Sequence, residues 1–212
     1  MAKLTDDLIP NILNYLNPTE LAKMSEVAKR FKLTINNDPH LNNRMQHGIY
    51  LRLAKQTADQ IEDVVWKSKT YCAIATEQAK TNPVDANDTL IVAKQTADQI
   101  EDGYDRSEAY YAIATEQAKT NPEDAKETAD HIENVVVKSE AYCAIATEQA
   151  KTNPVDANDT FRLAKETADQ IQHVVWKSKT YCAIATAQAK TNPVDANDTF
   201  RLAKETADQM KT

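Results

Sequence analysis

The residues with the most intrinsic chemistry in this chain are Cys72, Cys143 and Cys182, because a thiolate can attack, bind metal or form a disulfide. They share one phase of a repeating pattern, with Tyr111 in place of a fourth cysteine, and no base stands beside them at a repeated position. That spacing supplies neither a disulfide framework nor a metal-ligand cluster, so the three are expected as small buried residues. His131 and His173 fall in different phases, which leaves no shared metal or catalytic site. No Ser-His-Asp set, phosphate loop, HExxH or paired-cysteine cluster occurs, so no catalytic residue, metal or cofactor is expected and the chain reads as a non-enzyme.

Binding is the chemistry that remains. Trp66, Tyr104, Val137 and Trp176 read as one phase just ahead of a recurring helix. Trp and Tyr are enriched in interaction hot spots, so Trp66, Tyr104 and Trp176 are candidate target-binding residues. The competing reading is a turn residue folding back between helices once per repeat. Lys69, Glu108, Glu140 and Lys179 share a second phase and change sign between copies, as solvated residues tuning a partner's charge preference would. Asp59, Asp98, Asp130 and Asp169 recur in every copy, on a helix surface or as a link between adjacent units.

These residues must be positioned by helices. The 212 residues include two glycines and seven prolines, too few for the turns of a sandwich, barrel or Gly-rich nucleotide fold. Alanine is the commonest residue, and it favours helix, as do the many lysines, glutamates and glutamines. The longest apolar runs, such as Tyr71-Cys72-Ala73-Ile74-Ala75, are far too short to span a bilayer. Asp6 and Asp7 stand where a signal peptide needs apolar residues, so Sec-type export is not expected and a cytoplasmic location is. A net charge of −7 discourages binding to nucleic acid or anionic lipid.

Ala-Ile-Ala-Thr begins at Ala73, Ala112, Ala144 and Ala183, and Thr-Asn-Pro at Thr81, Thr120, Thr152 and Thr191. Successive copies lie 39, 32 and 39 residues apart. The short unit lacks seven residues between Pro122 and Thr128, about two turns at 3.6 residues per turn. Loss of two whole turns shortens a helix while keeping its buried face in phase, so this segment is expected as one continuous helix through Asn87-Asp88. It begins at Asn82-Pro83, carries Leu90, Ala93, Ala97 and Ile100 as a buried stripe, and ends near Glu101-Asp102, with Gly103 at the turn. A second helix is expected from about Ser68 to Lys80, buried on two sides. A helix pair cannot bury its apolar face alone, so the units must stack into an α-solenoid of helical hairpins, period 39 with one unit of 32. The architecture resembles the tetratricopeptide-like and HEAT-like class without its motifs.

The first residues do not fit the repeat. They carry a net charge of +1, leaving −8 for the array, and read as three short helices. Thr5 caps the first, with Leu8, Ile12, Leu13 and Leu16 on its apolar side; Thr19 caps the second, with Leu21, Met24, Val27 and Phe31; a third begins near His40-Leu41. Residues 1–47 are thus expected as one domain and 48–212 as the repeat array. The head resembles an F-box through Leu4-Thr5-Asp6-Asp7-Leu8, Ile12-Leu13-Asn14-Tyr15-Leu16, Glu20-Leu21, Val27-Ala28-Lys29-Arg30-Phe31 and Asp38-Pro39-His40-Leu41-Asn42. Thr5 stands where the family has Pro, Asp7 where it has Glu, and Asn42 where it has Trp.

The resemblance implies a non-catalytic substrate receptor. F-boxes bind the Skp-family adaptor of cullin-RING ubiquitin ligases, here through Leu4, Thr5, Asp7, Leu8, Ile12, Leu16, Leu21, Val27, Lys29 and Phe31, while the array holds a protein target. The near-identical Ala-rich repeats resemble bacterial ones, which points to an effector delivered into the cytoplasm of a eukaryotic host. The alternative is a helical-repeat scaffold with no ubiquitin link.

Overall fold

The computed structural model describes residues 42–209, with side chains from Gly48 onward. All regular structure among these residues is helical: α1 (Asn42–Ala58), α2 (Val64–Ala79), α3 (Pro83–Ala97), α4 (Gly103–Gln117), α5 (Pro122–Asp130), α6 (Val135–Gln149), α7 (Pro154–Asp169), α8 (Val174–Gln188) and α9 (Pro193–Asp208). The expected third head helix and the start of the array share α1, which runs through the division expected at 47/48. The two other head helices lie outside the described residues. The chain divides into two compact units, Met1–Gln99 and Ile100–Thr212.

The Asn-Pro helices form as their sequence dictates. Asn82, Asn121, Asn153 and Asn192 each accept a hydrogen bond from the backbone N–H three residues on, and proline follows each cap where no donor is needed. Asn87-Asp88 is helical, within the continuous α3. α3 ends earlier than expected, at Ala97, and Ile100 is buried beyond the helix rather than on it. Gly103 marks no turn: it is the first residue of α4, has no positive φ, and follows the capping Asp102. The second helix likewise starts at Val64, not Ser68, because Asp63 caps it four residues sooner.

In unit 1, α2 packs on α1 and more extensively on α3. In unit 2, α4–α5, α6–α7 and α8–α9 are hairpins; α6 also packs on α4 and α8, and neighbouring hairpins join through α5–α6 and α7–α8. That succession is a helical solenoid, and α6 is enclosed on both sides. Its core repeats one layer of large residues, Ile113, Ile145 and Ile184, set among alanines.

The missing seven residues fall where expected: α5 has 9 residues and α7 has 16. The deletion has a local consequence. Ser68 donates to the Ala93 carbonyl at 3.0 Å within unit 1. Within unit 2, Ser139 donates to Ala164 at 2.7 Å and Ser178 to Ala203 at 2.9 Å. Ser107, facing the shortened α5, instead donates to its own helix at Gly103, 2.7 Å, and accepts from the Asn134 N–H at 3.3 Å. Arg106 secures the same corner, donating to the Ile100 carbonyl at 2.8 Å and pairing with Glu133 at 2.7 Å.

Candidate functional site

The aromatic positions lie in the first turns of the second helices, most of which carry a side-chain cap. Asp63 accepts from the N–H groups of Val65 and Trp66 at 2.9 and 3.1 Å, and Asp102 from Tyr104 and Asp105, both at 2.9 Å. Asn134 does the same for Val136 and Val137, whereas His173 makes no capping bond. Trp66 and Trp176 therefore sit at the third helical position, inside the first turn and not ahead of it.

They do not fold back between helices. Trp66 is 42% exposed and Trp176 51% exposed. In unit 1 the Lys69 ammonium lies 5.1 Å from the Trp66 ring centroid, and in unit 2 Lys179 lies 5.0 Å from that of Trp176. A cation over an indole face is attracted by the ring quadrupole and presents aromatic and positive surface together. Val137, at the same phase, is buried. Tyr104 belongs one residue earlier, with Val65, Val136 and Val175, while Asp105 takes the Trp phase. The four do not form one phase, although Tyr104 is 59% exposed.

Where the indole is absent, the lysine is absent too. Glu108 and Glu140 hold that position on α4 and α6 of unit 2. Burial, followed by the negative charge of Glu108, raises the pKa of the Glu140 carboxyl. The Glu108 charge chiefly, and a hydrogen bond to that carboxylate, raise Tyr104. Burial first, then Glu140, pushes the Cys143 thiol up to about 12 and also raises Tyr111. The carboxylates, Tyr111 and Cys143 thus share one locally acidic patch. The expected solvated face is only partly so: Glu140 and Lys179 are exposed, Lys69 and Glu108 half-buried.

The cysteines differ from expectation. Cys72 is buried, but Cys143 is intermediate and Cys182 exposed. In unit 2, α6 lies between α4 and α8, whereas α8 meets a second helix only on the α6 side among the described residues. The same side chain is covered or open according to its neighbours.

The repeating aspartates have a structural partner that the spacing concealed. Tyr71 donates to Asp59 within unit 1; Tyr142 donates to Asp130 and Tyr181 to Asp169 within unit 2. Burial first, and then the carboxylate that each hydroxyl engages, raise all three phenols. The signal lies in the sequence as Asp followed by Tyr twelve residues later. It repeats at Asp98 and Tyr110.

Unit 1 also holds a groove of about 430 Å³, flanked by Arg52 and Lys55 on one side and Asp85 and Asp88 on the other. None of the expected target-binding residues lines it. Among the described residues no cluster of histidine, cysteine or carboxylate could hold a metal, and no helix is long and apolar enough to cross a membrane. The ten expected adaptor-binding residues, Leu4 to Phe31, lie outside the described residues.

Residues 1–43 match the family model of the F-box domain. No curated protein and no solved structure matches the chain.

Proposed function

We propose that this chain is a substrate receptor of a Skp–cullin–F-box ubiquitin ligase, with residues 1–47 engaging the adaptor and 48–212 holding a protein target. The F-box match at residues 1–43, followed by helical hairpins, is the observation that carries this reading. The receptor itself makes and breaks no bond. Its contribution is proximity: a tethered target meets the charged ubiquitin-conjugating enzyme at a high effective concentration. Leu4, Leu8, Ile12, Leu21, Val27 and Phe31 supply the apolar adaptor surface in this reading, since some forty residues are too few to bury a core without a partner.

Trp66, Tyr104 and Trp176 are the target contacts we assign. Their exposure supports that role, and Asp63 and Asp102 cap the first turns that carry Trp66 and Tyr104, so little side-chain entropy is lost when such anchors dock. The identical sequences of α7 and α9, a sign of recent duplication, support the reading of a bacterial effector acting in a host cytoplasm. A translocation reporter fused to the chain tests that finer point.

Size-exclusion chromatography with a Skp-family adaptor tests the function. A one-to-one complex is expected, and it is lost in a Leu8→Asp, Phe31→Asp variant whose helicity is unchanged. Absence of a complex with folded wild-type protein overturns the ubiquitin reading and leaves a helical scaffold.

A further inference from the structure

In unit 1 the groove between α1 and α3 has walls of opposite charge. Gly48, Arg52 and Lys55 of α1 form one, Asp85 and Asp88 of α3 form the other, and Gln78 of α2 lines the groove as well. Arg52, Asp85 and Asp88 are exposed, and Lys55 is half-buried. Its volume of about 430 Å³ is that of a ligand site rather than a packing gap.

The same positions in unit 2 show why these charges are available. Arg162, the counterpart of Arg52, pairs along its own helix with Asp159 at 3.6 Å and Glu166 at 2.9 Å. α1 has Ile49 and Gln56 at those two positions, so Arg52 lacks both partners. Asp198, the counterpart of Asp88, pairs with Arg201 at 3.5 Å, and α3 has Ile91 in that arginine's place. Each wall of the groove thus keeps a charge that its copy neutralises within one helix.

Gln78 adds a hydrogen-bonding group. It is 8% exposed, and its side-chain Oε1 has no hydrogen-bond partner. In the last hairpin the counterpart oxygen, on Gln188, accepts from Thr199 at 2.7 Å. Thr89 holds that position in unit 1, but it accepts from Lys55 at 3.3 Å and donates to the Asp85 carbonyl at 2.9 Å. Gln117 and Gln149 share the orphaned oxygen, so it belongs to the repeat. Around Gln149, however, the counterpart charges are engaged, Lys126 with Glu123 at 2.8 Å and Asp159 with Arg162. Unit 1 combines the open acceptor with two charged walls.

Those walls set the form of the occupant. Successive side chains of an extended chain point to opposite sides. Alternating acidic and basic residues therefore turn every carboxylate toward Arg52 and Lys55, and every cation toward Asp85 and Asp88. The backbone N–H groups of such a chain are the donors that the Gln78 amide lacks. From Gly48 to Lys55 the helix rises about 10 Å, the length of about three extended residues.

We propose that the groove between α1 and α3 of unit 1 binds an extended segment of the target in which acidic and basic residues alternate. That a target supplies the segment rests on the receptor reading; the binding competence of the groove does not.

A fluorescein-labelled peptide, Glu-Lys-Glu-Lys-Glu-Lys, titrated up to about 1 mM into the full chain at low ionic strength and followed by anisotropy, tests the proposal. Saturable one-to-one binding is expected, at least about ten-fold tighter than that of Glu-Glu-Glu-Lys-Lys-Lys, which has the same charges without the alternation. Arg52→Glu and Asp88→Lys each weaken it at least about ten-fold, because each reverses a charge on one wall. Gly48→Trp weakens it similarly with no change of charge. A Cβ at Gly48 meets nothing within 4 Å, so the indole obstructs the groove and not the core. Circular dichroism confirms that the three variants are folded, and their adaptor complex is expected to persist. Adaptor binding and peptide binding are thus read separately, so either can fail alone. No saturable binding, equal binding of the two peptides, or equal binding to the folded variants overturns the site. Equal binding of hexalysine assigns the affinity to the net negative charge of the chain and overturns it too.

Discussion

Glu140 shows how one repeat position acquires different physics in different copies. At the equivalent positions, Lys69 and Lys179 rest over indole rings. Glu140 instead has no indole before it, is partly withdrawn from water, and lies within the field of Glu108. Its carboxyl is easier to protonate in the folded chain than in the unfolded one. The raised folded pKa contributes stability that is fully present below the unfolded value and lost as pH climbs through the folded value. Glu140→Gln is therefore expected to stabilise the protein at neutral pH, by no more than about 0.5 kcal/mol because water still reaches the carboxyl. The gain should vanish below about pH 4, where both forms are neutral. Urea titrations at the two pH values check this, and an equal gain at both would remove charge as the cause. Sequence phase alone places lysine and glutamate on one face. It does not reveal that two of these positions are half-buried, because exposure depends on the adjoining helix.

At the scale of elements, the deletion that shortens α5 is legible from repeat spacing alone because helices lengthen in turns. The sequence of α5, PEDAKETAD, becomes that of α7 apart from Glu123 when Asn-Asp-Thr-Phe-Arg-Leu-Ala is inserted after Ala125. That seven-residue insertion is expected to leave the fold intact, raise helicity, and return Ser107 to a partner on the opposing helix. A five-residue insertion rotates everything beyond it by roughly 140° at 3.6 residues per turn, exposing Ala129 and costing several kcal/mol. Circular dichroism with thermal melting separates the two, and equal tolerance of both would refute the continuous-helix account. Helix starts are less legible. Apolar periodicity sets in near Ser68, whereas the α2 cap at Asp63 begins the helix four residues sooner, and Asp102 does the same for α4. The exception confirms the chemistry of the rule: His173 adopts the same extended backbone without a capping bond. His173→Asp supplies the missing acceptor and a charge favourable to the helix dipole, so it should stabilise α8 by about 1 kcal/mol in chemical denaturation.

For the whole molecule, the features legible in the sequence and those hidden from it divide along the same physical line. Repeats, helix phase and the F-box pattern are local in sequence, and these are legible. The aspartate–tyrosine links too are written as a twelve-residue spacing, whereas the exposed indoles and the half-open cysteines depend on which helix lies alongside, and these are not legible. A solenoid makes that dependence nearest-neighbour, so damage in one repeat should stay near it. Phe161 is the largest fully buried side chain of the described core. Phe161→Ala removes it from between hairpins and is expected to cost about 3–5 kcal/mol. Amide exchange should accelerate in α6–α9 of unit 2, while α1–α3 of unit 1 keep their protection. The adaptor complex proposed for residues 1–47 should persist in this variant. Uniform loss of protection through both units would instead mean that the chain unfolds as one cooperative body, and the nearest-neighbour description would have to be abandoned.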